Sequence, residues 1–412
     1  MQVASQQLKP AVPGHPKGLR VLFATEMWER FNFYGMRSLL TLFLVNSLMM
    51  GEQEASFIYG GFLGLSYLTP MLGGYISDKY LGNRNSIILG GFTMAVGQLF
   101  LFTSASVFSS NLDLAKSIMW IALLIIIFGN GFFKPNISSM VGQLYPKEQK
   151  SKLDSAFTIF YMGINMGAFL GQTICPLVGD VETITIVNGV EKTVRDVGAF
   201  KWGFLAAGIA MMVGTITFII LKNRYVVTPE GKAIGAKPDR NAIHEDESTN
   251  AKFSGKSVAI LFILLPVFYF ILQYLSWDPE VMPRTADGLG GYFKALAVSP
   301  IKTYVYPFIY ASGLSLAIFI LTDSTLTKVE TQRIIVLYIV AFFVIFFWAA
   351  FEQAGSSLTF IADNQTDTNL LGWRMPPAMV QNFNGLFVII FALPFSALWL
   401  WMQRKGIEPL ST

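Results

Sequence analysis

Charged side chains are scarce in this sequence, and cysteine and histidine are nearly absent. Asp, Glu, Lys and Arg make up 14% of the 412 residues, whereas soluble globular proteins average about 25%. Hydrophobic residues account for 53%, and mean hydropathy is +0.51. The chain therefore has too few charges to solvate its own surface in water. This composition excludes an ordinary soluble domain and indicates a protein that resides in lipid.

The shortage of cysteine and histidine excludes further classes of site. Cys175 is the only cysteine, so an intramolecular disulfide or a cysteine-based metal cluster is impossible. The only histidines, His15 and His244, lie outside the long apolar runs, and no nucleophile and base pair stands out within those runs. We therefore expect neither an enzyme nor a bound metal or cofactor.

Long apolar runs dominate the rest of the chain. A helix needs about 20 apolar residues to cross about 30 Å of hydrocarbon. Runs of this kind predict an all-α polytopic membrane protein with about ten transmembrane helices. The predicted spans are 19–47, 57–77, 85–106, 118–143, 152–178, 200–222, 256–277, 300–322, 332–362 and 378–402.

The distribution of Lys and Arg predicts the orientation. These residues are concentrated in segments that lie on one side of the membrane if the N-terminus is cytoplasmic, as the positive-inside rule requires. The start of the chain, 1–17, is polar and rich in proline, and the first apolar run is too long for a signal peptide. Alternating residues from Thr183 to Val187, followed by Asn188-Gly189, predict a short external β-hairpin.

The first span carries an unusual density of charge. Each ionisable residue at mid-bilayer costs at least about 2.5–3.5 kcal/mol. With a period of 3.6 residues, one stripe of the helix carries Glu26, Glu29, Arg30, Tyr34 and Arg37. Such a stripe must face a polar interior. A static ion-pair network that only joins helices remains the alternative.

Two further ionisable residues interrupt apolar runs. Lys134 lies in the fourth span, where a buried amine needs a carboxylate partner, and Glu26 or Glu29 is the obvious one. Protonation of that partner would release the ammonium to bind something else, which is the coupling that a symporter needs. Glu352 lies one turn after Trp348 and is either a proton site or the partner of Arg37. The alternatives are that Lys134 snorkels towards an interface and that Glu352 lies at a helix end.

The turn between the second and third spans combines glycine with charge. It contains Gly74, Asp78, Gly82 and Arg84 at steps of four, four and two. We expect it to hold neighbouring helix ends together in one conformational state rather than to bind a ligand.

Polar side chains also occur singly on apolar helices. Tyr67 lies in the second span, and Tyr161 and Asn165 lie one turn apart in the fifth. Taken alone, each is more often an interhelical hydrogen-bonding group than a ligand contact.

Taken together, these residues resemble the proton-dependent oligopeptide transporter family of the major facilitator superfamily. The resemblance is specific because several separate motifs match. They are Glu26-Met27-Trp28-Glu29-Arg30-Phe31, the turn from Gly73 to Arg84, Phe133-Lys134-Pro135-Asn136, and Phe160-Tyr161-Met162-Gly163-Ile164-Asn165-Met166-Gly167.

The resemblance implies a symporter of di- and tripeptides that couples transport to protons, works by alternating access and needs no cofactor. It implies a monomer in the bacterial inner membrane that binds no nucleic acid. Proton coupling is assigned to Glu26, Glu29, Arg30, Lys134 and Glu352. Peptide binding is assigned to Tyr34, Arg37, Tyr67, Lys134, Tyr161, Asn165 and Trp348, with Arg37 and Lys134 receiving the peptide carboxylate.

The resemblance also suggests how the chain is divided. The family has twelve core spans, and prokaryotic members often carry two extra helices between the sixth and seventh. We expect an N-terminal tail (1–18), a six-helix bundle (19–222), a cytoplasmic connector (223–255), an extra helix pair (256–322) and a partial C-terminal bundle (323–412). By this resemblance we expect the last four core spans of the family to be missing from this sequence, which is then either a fragment of a longer protein or a naturally shortened member.

Other functions remain open at this stage. A membrane enzyme is disfavoured because no histidine-based metal site and no nucleophile and base pair stand out in the apolar runs. A non-transporting sensor or an inactive truncated member is the main alternative from another class. Within the transporters, nitrate or amino acids are alternative cargo, although the intact Glu26, Glu29 and Arg30 favour proton coupling.

Overall fold

Helices make up most of the computed structural model, which describes residues 14–145, 150–187, 190–228, 231–238, 254–276 and 301–405. Each predicted span overlaps a long helix. In chain order the α-helices are α1 (Lys17–Asn46), α2 (Glu52–Ile76), α3 (Asn83–Val107), α4 (Leu112–Gln143), α5 (Lys150–Gly179), α6 (Phe200–Tyr225), α7 (Gly255–Leu275), α8 (Tyr306–Leu321), α9 (Lys328–Phe351), α10 (Ser357–Asn364) and α11 (Asn382–Arg404).

Several helices suit a membrane by length and composition alone. Among the described residues these are α3, α4, α6, α7, α8 with the π-helical turn that precedes it, and the segment from α9 to α10. Helix α1 does not meet that standard because Glu26, Glu29, Arg30 and Arg37 are distributed along it. No residue of α9 is buried, so its apolar surface requires non-aqueous surroundings.

The first six helices pack as one bundle. Helix α1 lies along α5 and α6, α3 lies between α4 and α6, and α2 packs on α4. Aromatic contacts such as Phe43 against Phe204, with ring centroids 5.1 Å apart, fill the core. A Cβ at Gly73 would overlap the carbonyl oxygen of Gly131, so only glycine permits α2 to cross α4 so closely. This crossing places Lys134, one turn after Gly131, beside α2.

The predicted span 332–362 falls within a segment, Lys328–Asn364, that is long and apolar enough to cross a membrane, but this segment is interrupted. Helix α9 ends at Phe351, a 3-10 turn occupies Glu352–Gly355, and α10 begins after Ser356. The break brings Gly355 against the first bundle: its carbonyl accepts a hydrogen bond from Thr41 at 3.0 Å, and a Cβ there would overlap the hydroxyl of Tyr59. A break in a helix leaves backbone polar groups without their helical partners. Here the carbonyl of Gly355 accepts from Thr41 instead.

The predicted β-hairpin is confirmed. Strands β1 (Glu182–Val187) and β2 (Val190–Arg195) pair antiparallel, with Glu182 opposite Arg195. The predicted turn residues 188–189 lie outside the described part of the chain. A second small hairpin, β3 (Asn369–Leu370) with β4 (Trp373–Arg374), lies at the same end of the molecule. We call this the hairpin end.

The opposite end, which we call the connector end, contains the glycine-rich turn. Arg84 donates to the carbonyl of Ile234 at 2.6 Å and to the side chain of Asn223 at 2.9 Å. Gly82, at φ 75°, leaves room for the carbonyl of Ala236. The turn thus attaches the end of α6 and the start of the connector to α3, so this part of the connector is more than a solvated loop. Its conformational role remains a prediction.

Other members of the predicted turn lie apart from this contact. Gly74 faces Pro135 of α4, and a Cβ added at Gly74 would lie 3.5 Å from the Pro135 side chain, an ordinary packing distance. Asp78 is exposed. The remaining charged residues of the connector, Arg240, Glu245, Asp246 and Glu247, lie outside the described residues.

Candidate functional site

The charged stripe of α1 is buried inside the bundle. Glu26, Glu29 and Arg30 are 1%, 0% and 6% exposed. The Nε of Arg30 donates to Oε1 of Glu26 at 2.7 Å and lies 3.0 Å from Oε2 of Glu29. The structure therefore brings together the residues that helical spacing predicts on one face.

The charges of this cluster are not balanced. Two carboxylates surround one guanidinium, and among the described residues Oε2 of Glu26 and both oxygens of Glu29 accept no hydrogen bond of good geometry. Buried acceptors left without partners are costly, and a proton bound to either acid would neutralise the excess charge. The arrangement can therefore take up and release a proton at low structural cost.

Lys134 faces an aromatic ring instead of a carboxylate. Its Nζ lies 4.1 Å from the ring centroid of Tyr67, a cation–π contact. Within the described part of the chain, no carboxylate oxygen lies within 4.0 Å of this ammonium, although the charges of Glu29, Glu26 and Glu352 act on it. The predicted pairing with Glu26 or Glu29 is not formed in this conformation and remains a prediction.

A second charged contact joins α1 to the break after α9. Arg37 Nη2 lies 2.6 Å from Oε2 of Glu352, and the side chains are 3% and 21% exposed. The guanidinium also lies over the rings of Tyr34 and Tyr59, at 5.4 and 5.5 Å from their centroids. The sequence left two roles open for Glu352, a proton site or the partner of Arg37. In this conformation Glu352 is the partner of Arg37.

A cavity of about 700 Å³ opens beside these contacts. It contains three predicted site residues: Tyr67, Trp348 and Glu352. Sequence reasoning missed others that line it, although Tyr59 precedes Tyr67 by eight residues and helical spacing could have indicated it. The full lining is Ser56, Tyr59, Gly60, Leu63, Tyr67, Tyr306, Trp348, Ala349, Glu352, Gln353 and Ser356.

Two predicted substrate residues lie elsewhere. Tyr161 is exposed on α5 and Asn165 is half-buried, and the Asn165 amide donates to the carbonyl of Tyr161 at 2.8 Å within its own helix. Neither lines the cavity. This conformation therefore shows no contact of Tyr161 or Asn165 with the cavity, and their role in peptide binding stays a prediction.

A cavity of similar size, about 690 Å³, lies on the other side of α2. Apolar side chains of α2 and α4 form most of its wall. The charged residues Glu54, Asp113 and Lys116 also line it. None of the predicted site residues lines it, so it is not the candidate site.

The contact between Arg37 and Glu352 yields a prediction about stability. Removing one partner leaves the other charge buried, so we expect Arg37→Gln to lower the free energy of unfolding by about 3–5 kcal/mol. Glu352→Gln should cost at least as much, because it leaves the more deeply buried Arg37 without its partner. The double variant Arg37→Gln with Glu352→Gln should recover much of the loss. Thermal unfolding of the detergent-solubilised variants measures this, and strictly additive losses would contradict it.

Buried charges on neighbouring helices beside a cavity are typical of one class of protein, the polytopic helical membrane proteins that move a polar solute. Comparison with known proteins identifies the family. The family model of PTR2, the POT family, matches residues 84–412, and the chain belongs to this family. Its members are transporters, not enzymes. The predicted fold class is thereby confirmed.

Individual relatives agree with this assignment. The chain is 32% identical over 404 residues to peptide transporter YePEPT of Yersinia enterocolitica, covering 97% of this chain and 70% of the relative. It is 28% identical over 398 residues to a di-/tripeptide transporter of Lactococcus lactis, with coverage of 94% and 69%. A crystal structure of a POT family transporter in complex with 5-aminolevulinic acid superposes with a TM-score of 0.67 at 26% identity, covering 96% and 72%.

Proposed function

We propose that this protein is a proton-coupled symporter of di- and tripeptides that works by alternating access. The observation that carries the proposal is the buried, charge-unbalanced group of Glu26, Glu29 and Arg30, set near Lys134 and a cavity of about 700 Å³. Similarity to proteins named as peptide and di-/tripeptide transporters supports the cargo. No cofactor takes part, and the proton is the coupling ion.

In this mechanism a proton changes which groups pair. When Glu29 is protonated, the hold of its carboxylate on Arg30 weakens, and Arg30 turns fully to Glu26. Lys134, which is not ion-paired to a described residue, then remains free for a peptide carboxylate. Loss of the proton restores the negative charge and attracts the ammonium again. A bound proton therefore stabilises the peptide-loaded carrier.

Peptide recognition follows from the same chemistry. A cation near the cavity holds one terminus, whereas Tyr59, Tyr67 and Trp348 provide aromatic walls that accept varied side chains. We assign Arg37, Tyr34, Tyr161 and Asn165 to the same pathway in other states of the cycle, in which the segment after α9 shifts relative to the first bundle. In this conformation Arg37 is engaged by Glu352 instead.

Orientation and organisation belong to the proposal as well. We place the connector end in the cytoplasm and the hairpin end outside, in a bacterial plasma membrane, with the protein acting as a monomer. The six-helix bundle (19–222) and the C-terminal part (323–412) rock about the cavity, the connector (223–255) joins them, and the helix pair (256–322) lies between them in sequence.

Uptake by reconstituted protein tests the proposal. Proteoliposomes with an acidic exterior should accumulate a labelled dipeptide above its external concentration, and a protonophore should abolish the accumulation. Labelled nitrate and a single amino acid serve as competing cargo in parallel vesicles. Accumulation of either one in place of the dipeptide would overturn the cargo assignment, and no flux of any of them would favour a non-transporting sensor.

A further inference from the structure

Arg195 joins three elements at the hairpin end. It is the last residue of β2, and its Nε donates to Oδ1 of Asp180 at 2.7 Å, directly after α5. Its two terminal nitrogens donate to both carboxylate oxygens of Asp363, near the end of α10, at 2.9 and 2.5 Å. One guanidinium therefore connects the first bundle with the segment that follows α9.

This contact has the properties of a strong ion pair. The side chain of Asp180 is 1% exposed, and those of Arg195 and Asp363 are 16% and 17% exposed. Oδ2 of Asp180 also accepts from the backbone N–H of Ala378 at 3.3 Å. Fork-to-fork pairing of arginine with a carboxylate is geometrically specific and stronger than a neutral hydrogen bond.

The guanidinium of Arg195 keeps its proton. Burial tends to lower the pKa of Arg195, but hydrogen bonds to Asp363 and the charge of Asp180 outweigh burial and raise the pKa above its ordinary value. The guanidinium therefore remains a cation.

Neighbouring contacts at this end cross the same boundary. Asn364 donates to Glu52 at 2.9 Å, and Asn382 donates to Thr173 at 2.7 Å. These are single hydrogen bonds. Arg374 and Glu182 form another charged contact at 3.2 Å, but Arg374 is 63% exposed, so this pair contributes little. Apart from Arg37 with Glu352, which joins the same two parts, the group centred on Arg195 is the most buried charged contact across this boundary among the described residues.

We infer that Arg195, with Asp180 and Asp363, is a latch that closes the hairpin end of the carrier in one half of the transport cycle. The inference rests on the proposed function, because only a carrier needs this end to open and close. Arg195 does not line the cavity, so it acts as a positioning residue and not as a peptide ligand. The latch stabilises the state in which the hairpin end is shut, and opening must break the paired hydrogen bonds of Arg195 with Asp363, because Asp180 and Arg195 both belong to the first bundle.

The distance between labels at this end tests the latch. Spin labels at Ser109, between α3 and α4, and Leu371, between β3 and β4, lie on exposed turns of the two parts. The background carries Cys175→Ala, since Cys175 is the only native cysteine. Pulsed EPR in liposomes without peptide should give mainly a short distance. Arg195→Gln and Asp363→Asn should each shift the ratio of long to short distances by about tenfold or more.

Matched controls separate the latch from a general structural effect. Arg374→Gln removes the exposed pair at the same end and should leave the distances unchanged. Arg195→Lys keeps the positive charge but cannot donate from two terminal nitrogens to both oxygens of Asp363. It should give an intermediate shift. If Arg195→Gln does not fold, Asp363→Asn carries the test alone. Distances in Asp363→Asn identical to those of the unsubstituted protein would overturn the inference.

This readout is independent of cargo. If dipeptide uptake fails while the distances shift, the proposed function is wrong and the latch stands as a structural contact. If uptake is intact and the distances do not shift, only the latch is wrong. In uptake assays the latch predicts that Arg195→Gln lowers kcat without raising KM for external dipeptide, because peptide contacts are unchanged but closing is disfavoured.

Discussion

Lys134→Ala is expected to abolish proton-driven dipeptide accumulation. The ammonium lies over Tyr67 near the cavity and within the field of the carboxylates of Glu26, Glu29 and Glu352. Removing it deletes the charge that receives the peptide carboxylate and that responds when Glu29 loses or gains a proton. Uptake in proteoliposomes with an acidic exterior should fall to the level of protein-free vesicles.

A matched control exists for this variant. Lys79 also lies over a tyrosine ring, that of Tyr75 at 4.7 Å, but it is exposed at the connector end. Lys79→Ala should therefore retain uptake. Undiminished accumulation in Lys134→Ala, with the protein correctly inserted and folded, would remove Lys134 from the mechanism.

Glu29→Gln is expected to separate peptide movement from proton movement. Glutamine preserves the shape of the side chain but carries no charge and cannot exchange a proton. The variant should lose accumulation against a gradient but retain exchange of labelled for unlabelled dipeptide across the membrane, because exchange needs no net proton transfer. Counterflow and pH-driven uptake measured on the same vesicles report the two activities.

Glu54→Gln provides the comparison for this variant. Glu54 is a partly buried acid in the first turn of α2, and it lines the cavity on the other side of that helix. It should behave like the unsubstituted protein in both assays. Loss of exchange as well as accumulation in Glu29→Gln would show that Glu29 is needed for the carrier to move at all and would contradict a role limited to coupling.

The sequence predicted the charged stripe because the cause is local. Helical period and the cost of charge in lipid are both readable from α1 alone, and they bring Glu26, Glu29 and Arg30 together. The partner of Lys134 could not be predicted in the same way. Its position depends on how α2 crosses α4 at Gly73, and this crossing puts the ring of Tyr67 beneath the ammonium.

The remaining differences have similar origins. Within the run 332–362, the polar residues from Glu352 to Ser357 mark the position of the break, but the tertiary contacts with Thr41 and Tyr59 that stabilise it could not be read from the sequence. The contact of Arg195 with Asp363 joins residues far apart in the chain. Only the packed structure brings them to the same place, whereas the β-hairpin that carries Arg195 was readable from local alternation.

Proton movement driven by peptide alone tests the central claim most directly. Vesicles containing the protein and a trapped pH-sensitive dye, with equal pH on both sides and the membrane potential clamped, receive an inward gradient of dipeptide. Peptide entry should acidify the lumen, and Glu29→Gln vesicles should show no such change. Dipeptide entry into vesicles of the unsubstituted protein without any acidification would contradict the account.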